Sequence, residues 1–119
     1  MYVKNGVAGV IVFEDKVIQN TVGITVSSCY GVVEMASVKR MKDYILNSIG
    51  KNNYERGVVI RSYESGIIDL DIHIVVGYSI PVKSICNEIK KRVVYDLENN
   101  LNIKARDIKI FVEAIDKIG

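Results

Sequence analysis

The sequence has no tryptophan, one proline, one histidine and two cysteines in 119 residues, and each shortage narrows what the chain can be. A single proline argues against an architecture built from loops. Cys29 and Cys86 lie far apart and fit free thiols in a reducing cytoplasm better than a disulfide scaffold. With His73 the lone histidine, a nitrogen-rich metal site cannot be completed. Neither sign of charge dominates: the net charge of +2 is too small to serve as a polyanion footprint, so nucleic acid is not implied. Long apolar runs are missing too. "VAGVIVF" is closed by Glu14 and Asp15 with no small-residue cleavage site after it, and nothing approaches the roughly 20 apolar residues of a membrane span. No direct membrane insertion is expected, and any membrane association needs a partner or anchor.

What is present is ordinary for a globular protein. Hydrophobic residues at 49% and charged residues at 25% exclude disorder, and the length suits one domain over residues 1–119 with no linker. Gly9 to Phe13 reads as a short β-branched strand. The next stretch, "TVGITVSSCYG", is ambiguous. Ile18, Val22, Thr25 and Cys29 fall at helical spacing, and Asp15 suits an N-cap with Glu14 beside it at the positive helix end. Val, Ile and Thr are poor helix formers, however, and Gly23 costs about 1 kcal/mol relative to Ala in mid-helix. Pattern and propensity disagree; the position of the cap tips the reading to helix.

A second helix is expected from Ser37 to Ile49, stopped by Gly50. "GVVIRSY" and "IIDLDIHIVV" read as strands joined by a short hairpin at Glu64-Ser65-Gly66, with Ile68, Leu70, Ile72, Ile74 and Val76 on one face of the longer strand and Asp69, Asp71 and His73 on the other. Pro81 opens a helix with a continuous stripe of Val82, Ile85, Cys86, Ile89, Val93 and Leu97, closed at Asn99 and Asn100. Ile108 to Ile115 makes the last strand, with Ile110, Val112 and Ala114 inward. The order β-α-α-β-β-α-β predicts an α+β two-layer sandwich, a four-stranded sheet with helices on one face. Val59, Tyr63, Ile67, Val75, Phe111 and Ile115 would then point away from the helices. A contiguous apolar face of that kind marks a protein-contact surface, with Val59, Tyr63, Phe111 and Ile115 as its candidate residues.

Three candidate chemistries are weaker. Asp69, Asp71 and His73 resemble a metal triplet, but residues two apart on a strand lie roughly 6.6 Å apart and the outer pair about 13 Å apart, so at most two could share an ion. A solvated polar strand face explains them more simply. Cys29 with His73 could form a nucleophile and base, yet "SSCYG" lacks the first glycine of a nucleophile elbow, and buried free cysteine is common. RNA recognition needs exposed aromatics on central strands, where this chain offers Asp69 and Asp71. No catalytic, cofactor-binding or metal residues are assigned.

Taken in order, "GVIVFEDKVIQNTVGITVSSCYGVVEMAS", "RGVVIRSYESGIIDLDIHIVVGY", "IPVKSICNEIKKRV" and "IKARDIKIFVEAI" resemble the alkaline shock protein family of bacterial envelope stress proteins, especially its short YloU-like members. Gly31, Val32, Met35, Gly57, Val58, Asp69, Tyr78, Ile80, Pro81 and the closing strand carry the match over residues 8 to 115. Glu34, where a glycine is usual, and the short "GYSIP" depart from it. The resemblance implies helix for "TVGITVSSCYG". It also implies a non-enzymatic cytoplasmic scaffold or interaction module for envelope stress or homeostasis, without a cofactor. Such a module would act through self-association or a protein partner, including a membrane-anchored or kinase-like one. A small-ligand-sensing domain is the alternative the fold leaves open, with RNA binding behind it.

Overall fold

The computed structural model of the chain describes residues 2–6, 9–36 and 56–116; the helix expected over Ser37 to Ile49 lies outside them. In chain order the elements are strands β1 (Tyr2–Gly6) and β2 (Gly9–Phe13), helix α1 (Asp15–Ser27), and strands β3 (Val32–Met35), β4 (Val58–Glu64) and β5 (Ile67–Gly77). Helix α2 (Val82–Asp96), a π-helical turn (Leu97–Leu101) and strand β6 (Lys104–Asp116) follow. The α+β class, the four-stranded sheet and the helices packed on it are as the sequence predicts.

The membership of that sheet differs from expectation. Gly9–Phe13 pairs with Tyr2–Gly6 in a separate antiparallel hairpin running from Tyr2↔Phe13 to Gly6↔Gly9. Its apolar side chains Val3, Val10, Ile11 and Val12 remain about half exposed. The fourth strand of the main sheet is instead Val32–Met35. Four residues are too few to show an alternation, so its extended state comes from pairing with Ile74 to Val76 rather than from its own pattern.

β5 is the centre. β6 runs parallel along one edge of it, from Ile67↔Lys104 to Gly77↔Asp116. β4 and β3 share the other edge end to end, β4 antiparallel opposite Ile67 to Ile72 and β3 antiparallel opposite Ile74 to Val76. The hand-over falls on His73, whose N–H donates to the Gly57 carbonyl (2.8 Å) while its carbonyl accepts from the Ala36 N–H (2.9 Å). Only glycine fits beside it: a Cβ on Gly57 would stand 2.6 Å from the His73 oxygen and 2.9 Å from both the Ala36 oxygen and Met35 Cε.

The helix face of β5 is the core. Ile68, Leu70, Ile72, Ile74 and Val76 are fully buried against Ile18, Val22 and Val26 of α1 and Ile89 and Val93 of α2. Each such side chain contributes about 1.5–3 kcal/mol by leaving water. This burial explains why "TVGITVSS" is helical despite its composition. The threonines are also satisfied inside the helix: Thr21 Oγ1 donates to the Val17 carbonyl (2.8 Å) and Thr25 Oγ1 lies 3.0 Å from the Thr21 carbonyl. Thr25 Oγ1 sits closer still, 2.6 Å, to Asp96 Oδ2 and so ties α1 to α2. The cap itself is one residue earlier than read. Glu14 holds the N-cap position, without a side-chain cap bond, and Asp15 is the first helical residue.

The ends of the other elements shift in the same small way. Pro81 is the N-cap of α2 rather than its first residue, and the helix continues through the π-helical turn until Asn102, in the left-handed region at φ 55°, closes it. The β4–β5 hairpin turns at Ser65 (φ 45°) and Gly66 (φ 87°), as expected. After α1, Gly31 adopts φ 95°, its carbonyl accepts from the Gly77 N–H (2.8 Å), and a Cβ there would lie 2.6 Å from Ile85 Cδ1.

Candidate functional site

Helices pack on one face of the sheet, and among the described residues none covers the other. What that open face displays is set by β-bulges in β3, β4 and β6, the one in β3 placing the extra residue Val33 between Val32, opposite Val76, and Glu34, opposite Val75. β4 carries the extra residue Arg61 between Ile60, opposite Leu70, and Ser62, opposite Asp69. β6 carries Arg106 between Ala105, opposite Ile68, and Asp107, opposite Asp69, then Glu113 between Val112, opposite Ile74, and Ala114, opposite Val75. An extra residue turns everything after it to the other side of the sheet.

The bulges correct half of the predicted contact face. Val59, opposite Asp71, and Phe111, opposite His73, lie on the open face as read. Tyr63 does not: the Arg61 bulge places it opposite buried Ile68 on the helix face, where its hydroxyl donates to Asp15 at the start of α1. Ile115 is likewise turned by the Glu113 bulge to stand opposite Val76 on the helix face, and Ala114 takes the outward position. Ile67 and Val75 keep to the open face.

The extra residues of β4 and β6 are all charged, and they build a lattice across β4, β5 and β6. Arg106 grips Asp69 with two nitrogens, Nε to Oδ1 at 3.1 Å and Nη2 to Oδ2 at 2.6 Å, and reaches Glu64 with Nη1 at 2.9 Å. Ser62 Oγ donates to the same carboxylate at 2.7 Å. Arg61 bridges Asp71 Oδ1 (2.5 Å) and Asp107 Oδ2 (2.8 Å). His73 Nδ1 is 2.7 Å from Glu113 Oε1, and its ring stacks on Phe111 with centroids 4.7 Å apart and planes within 10°. Bonding to Arg106 and then to Ser62 holds the Asp69 carboxyl well below the usual carboxylate range. The carboxylate in turn pushes the Arg106 guanidinium up, keeping it charged.

Asp69, Asp71 and His73 therefore share a face, as the alternation predicts, but each is bound to a different internal partner. Among the described residues no three His, Cys, Asp or Glu side chains come together in a way that could hold a metal ion. The imagined Cys29–His73 pair is not formed. Cys29 is buried in the helix layer, its Sγ 3.4 Å from the Thr25 carbonyl and 3.8 Å from Arg92 Nη1, whereas His73 faces the opposite side of the sheet. Burial pushes the Cys29 thiol up, away from thiolate character, and Arg92 only partly offsets this. Among the described residues His73 has no Ser, Thr or Cys side-chain partner. No helix is long and apolar enough to cross a membrane among those residues.

Sequence reading missed Arg61, Arg106 and Glu113 as members of this face. Their charge gave no signal of a bulge, because Arg61 after Ile60 and Glu113 after Val112 each fall where an unbroken alternation also places an outward side chain.

Known proteins place the chain. Residues 4–117 match the model of the alkaline shock protein 23 family, described as having a cell envelope-related function. Spy1614 of Streptococcus pyogenes is 33% identical over 111 residues, covering 93% of this chain and 91% of that protein. YloU of Bacillus subtilis is 28% identical over 107 residues, covering 90% and 88%. Both are described as uncharacterized. Among solved structures, two variants of the MamM CTD superpose with TM-scores of 0.54 at 16% and 15% identity. They cover 82% and 85% of this chain and 90% and 98% of theirs, a likeness of fold alone. The chain belongs to the alkaline shock protein family, a bacterial family with a cell envelope-related function.

Proposed function

We propose that the chain is a non-catalytic protein-contact module serving a cell-envelope role, and that the open sheet face is where it docks. One observation carries this reading: Val59 and Phe111 stand on a face with no cover among the described residues, beside charged groups that are ion-paired within the chain. Phe111 is 42% exposed. Such a face costs less to cover than one bearing lone charges, because its charges are paired in advance. Family membership supports the envelope role. The module works in the cytoplasm and reaches the membrane through an anchored partner.

Crosslinking mass spectrometry on native cells tests this. Crosslinks from the open face are expected to disappear in Val59→Glu and in Phe111→Glu, with the circular dichroism spectrum and melting temperature of the purified proteins nearly unchanged. An unaltered crosslink pattern in both well-folded variants refutes the reading.

A further inference from the structure

The outer edge of β6 is unpaired among the described residues, and it carries a self-complementary sequence. From Lys109 to Glu113 it reads basic, apolar, aromatic, apolar, acidic. Turned end for end about Phe111, the segment places Lys109 against Glu113, Ile110 against Val112 and Phe111 against its own copy. Each match also keeps to one side of the sheet, as directly opposed residues must. Lys109, opposite Asp71, and Glu113, bonded to His73, are on the open face with Phe111, whereas Ile110 and Val112, opposite Ile72 and Ile74, are on the helix face.

From this we infer that β6 pairs antiparallel with β6 of a second copy of the chain, about a two-fold axis at Phe111, so that one sheet runs through the dimer. The inference rests on the contact-module reading and names its partner. The Arg106 bulge lies before the paired segment and the Glu113 bulge falls on its last residue, so the pairing is confined to Lys109 through Glu113, where the charges match. Lys109 makes no ion pair among the described residues, so its charge is available to the second copy's carboxylate; Glu113 has a second oxygen besides the one that meets His73. The other exposed apolar strand, β2, has no charged residue between Gly9 and Phe13 with which to fix a register. Two-fold pairing uses the same edge on both copies, so it closes at a dimer. Phe111 and Val112, 42% and 36% exposed in the single chain, become covered. Exposed charge pairs add little affinity but specify register and direction.

The test follows the oligomeric state of the full chain by analytical ultracentrifugation over a range of concentrations. The wild type is expected to dimerise. Lys109→Glu and Glu113→Lys, each placing like charges opposite one another twice per dimer, weaken it by about tenfold or more. An equimolar mixture of the two variants recovers the dimer, because every position again faces the opposite charge. Mild oxidation of Phe111→Cys gives a disulfide-linked dimer, since paired Cα atoms at about 4.5–5.5 Å suit a disulfide; the wild type, with Cys29 and Cys86 in place, gives none. A monomeric wild type, or a variant mixture that stays monomeric, overturns the inference. If the wild type is monomeric while Val59→Glu still erases cellular crosslinks, only the β6 pairing fails. If the crosslinks also persist, the contact-module reading fails with it.

Discussion

Replacing Gly57 by alanine tests whether the hand-over at His73 is as tight as it looks. The added methyl carbon would stand 2.6 Å from the His73 carbonyl oxygen and 2.9 Å from the Ala36 oxygen, and both neighbours are backbone. A flexible side chain could swing away, but these carbonyls cannot move without shifting β3 or β5. The hydrogen bonds at risk are His73 N–H to Gly57 O and Ala36 N–H to His73 O. Crowding a packed site costs about 1–3 kcal/mol, and each weakened hydrogen bond adds up to about 1 kcal/mol. A loss of about 3 kcal/mol is expected, which for a chain of this length lowers the melting temperature by on the order of 10 °C. Urea titration followed by circular dichroism measures it: the midpoint should fall while the slope m stays constant. Faster hydrogen exchange at the His73 amide should accompany the change. A Gly57→Ala protein within about 0.5 kcal/mol of wild type would refute the close approach of these three backbone segments.

Two further outcomes follow from charge and burial. Asp69 has a folded-state pKa below its unfolded one, so its stabilising contribution is complete above the unfolded value of about 4 and is lost as pH falls towards the lower folded value. Asp69→Asn should therefore flatten the acid limb of a stability–pH profile below about pH 5; a limb as steep as that of wild type would contradict it. Burial pushes both thiols up, but Cys29 is 4% exposed whereas Cys86 is half-buried. Iodoacetamide should modify Cys86 first and Cys29 only at the rate of unfolding, as read by mass spectrometry. Modification of Cys29 at the rate of a free peptide thiol would count against its buried position.

Much of the fold was readable because long elements carry their own periodicity. Eleven residues of β5 alternate without interruption, and the stripe of α2 spans its whole length, so local pattern and tertiary demand agree there. β3 was hidden because Val32–Met35 is too short to state a period and is extended only because β5 offers it an edge. The hairpin partner of Gly9–Phe13 was missed for a similar reason: strand character says nothing about which strand will be the neighbour. Tyr63 and Ile115 were misassigned because alternation counted from Val59 or Phe111 presumes one residue per step, and Arg61 and Glu113 each add one. The paired charges could not be foreseen, since Arg61 with Asp107 and His73 with Glu113 depend on how β4 and β6 are placed against β5.

Because one residue of β5 holds both Ala36 and Gly57, β3 ends and β4 begins against the same point of the sheet. Opening at His73 would therefore loosen both strands at once, and the Ala36 and His73 amides should exchange with solvent as one cooperative unit. A single backbone position thus decides whether that edge of the open face holds together as one piece or comes apart as one piece.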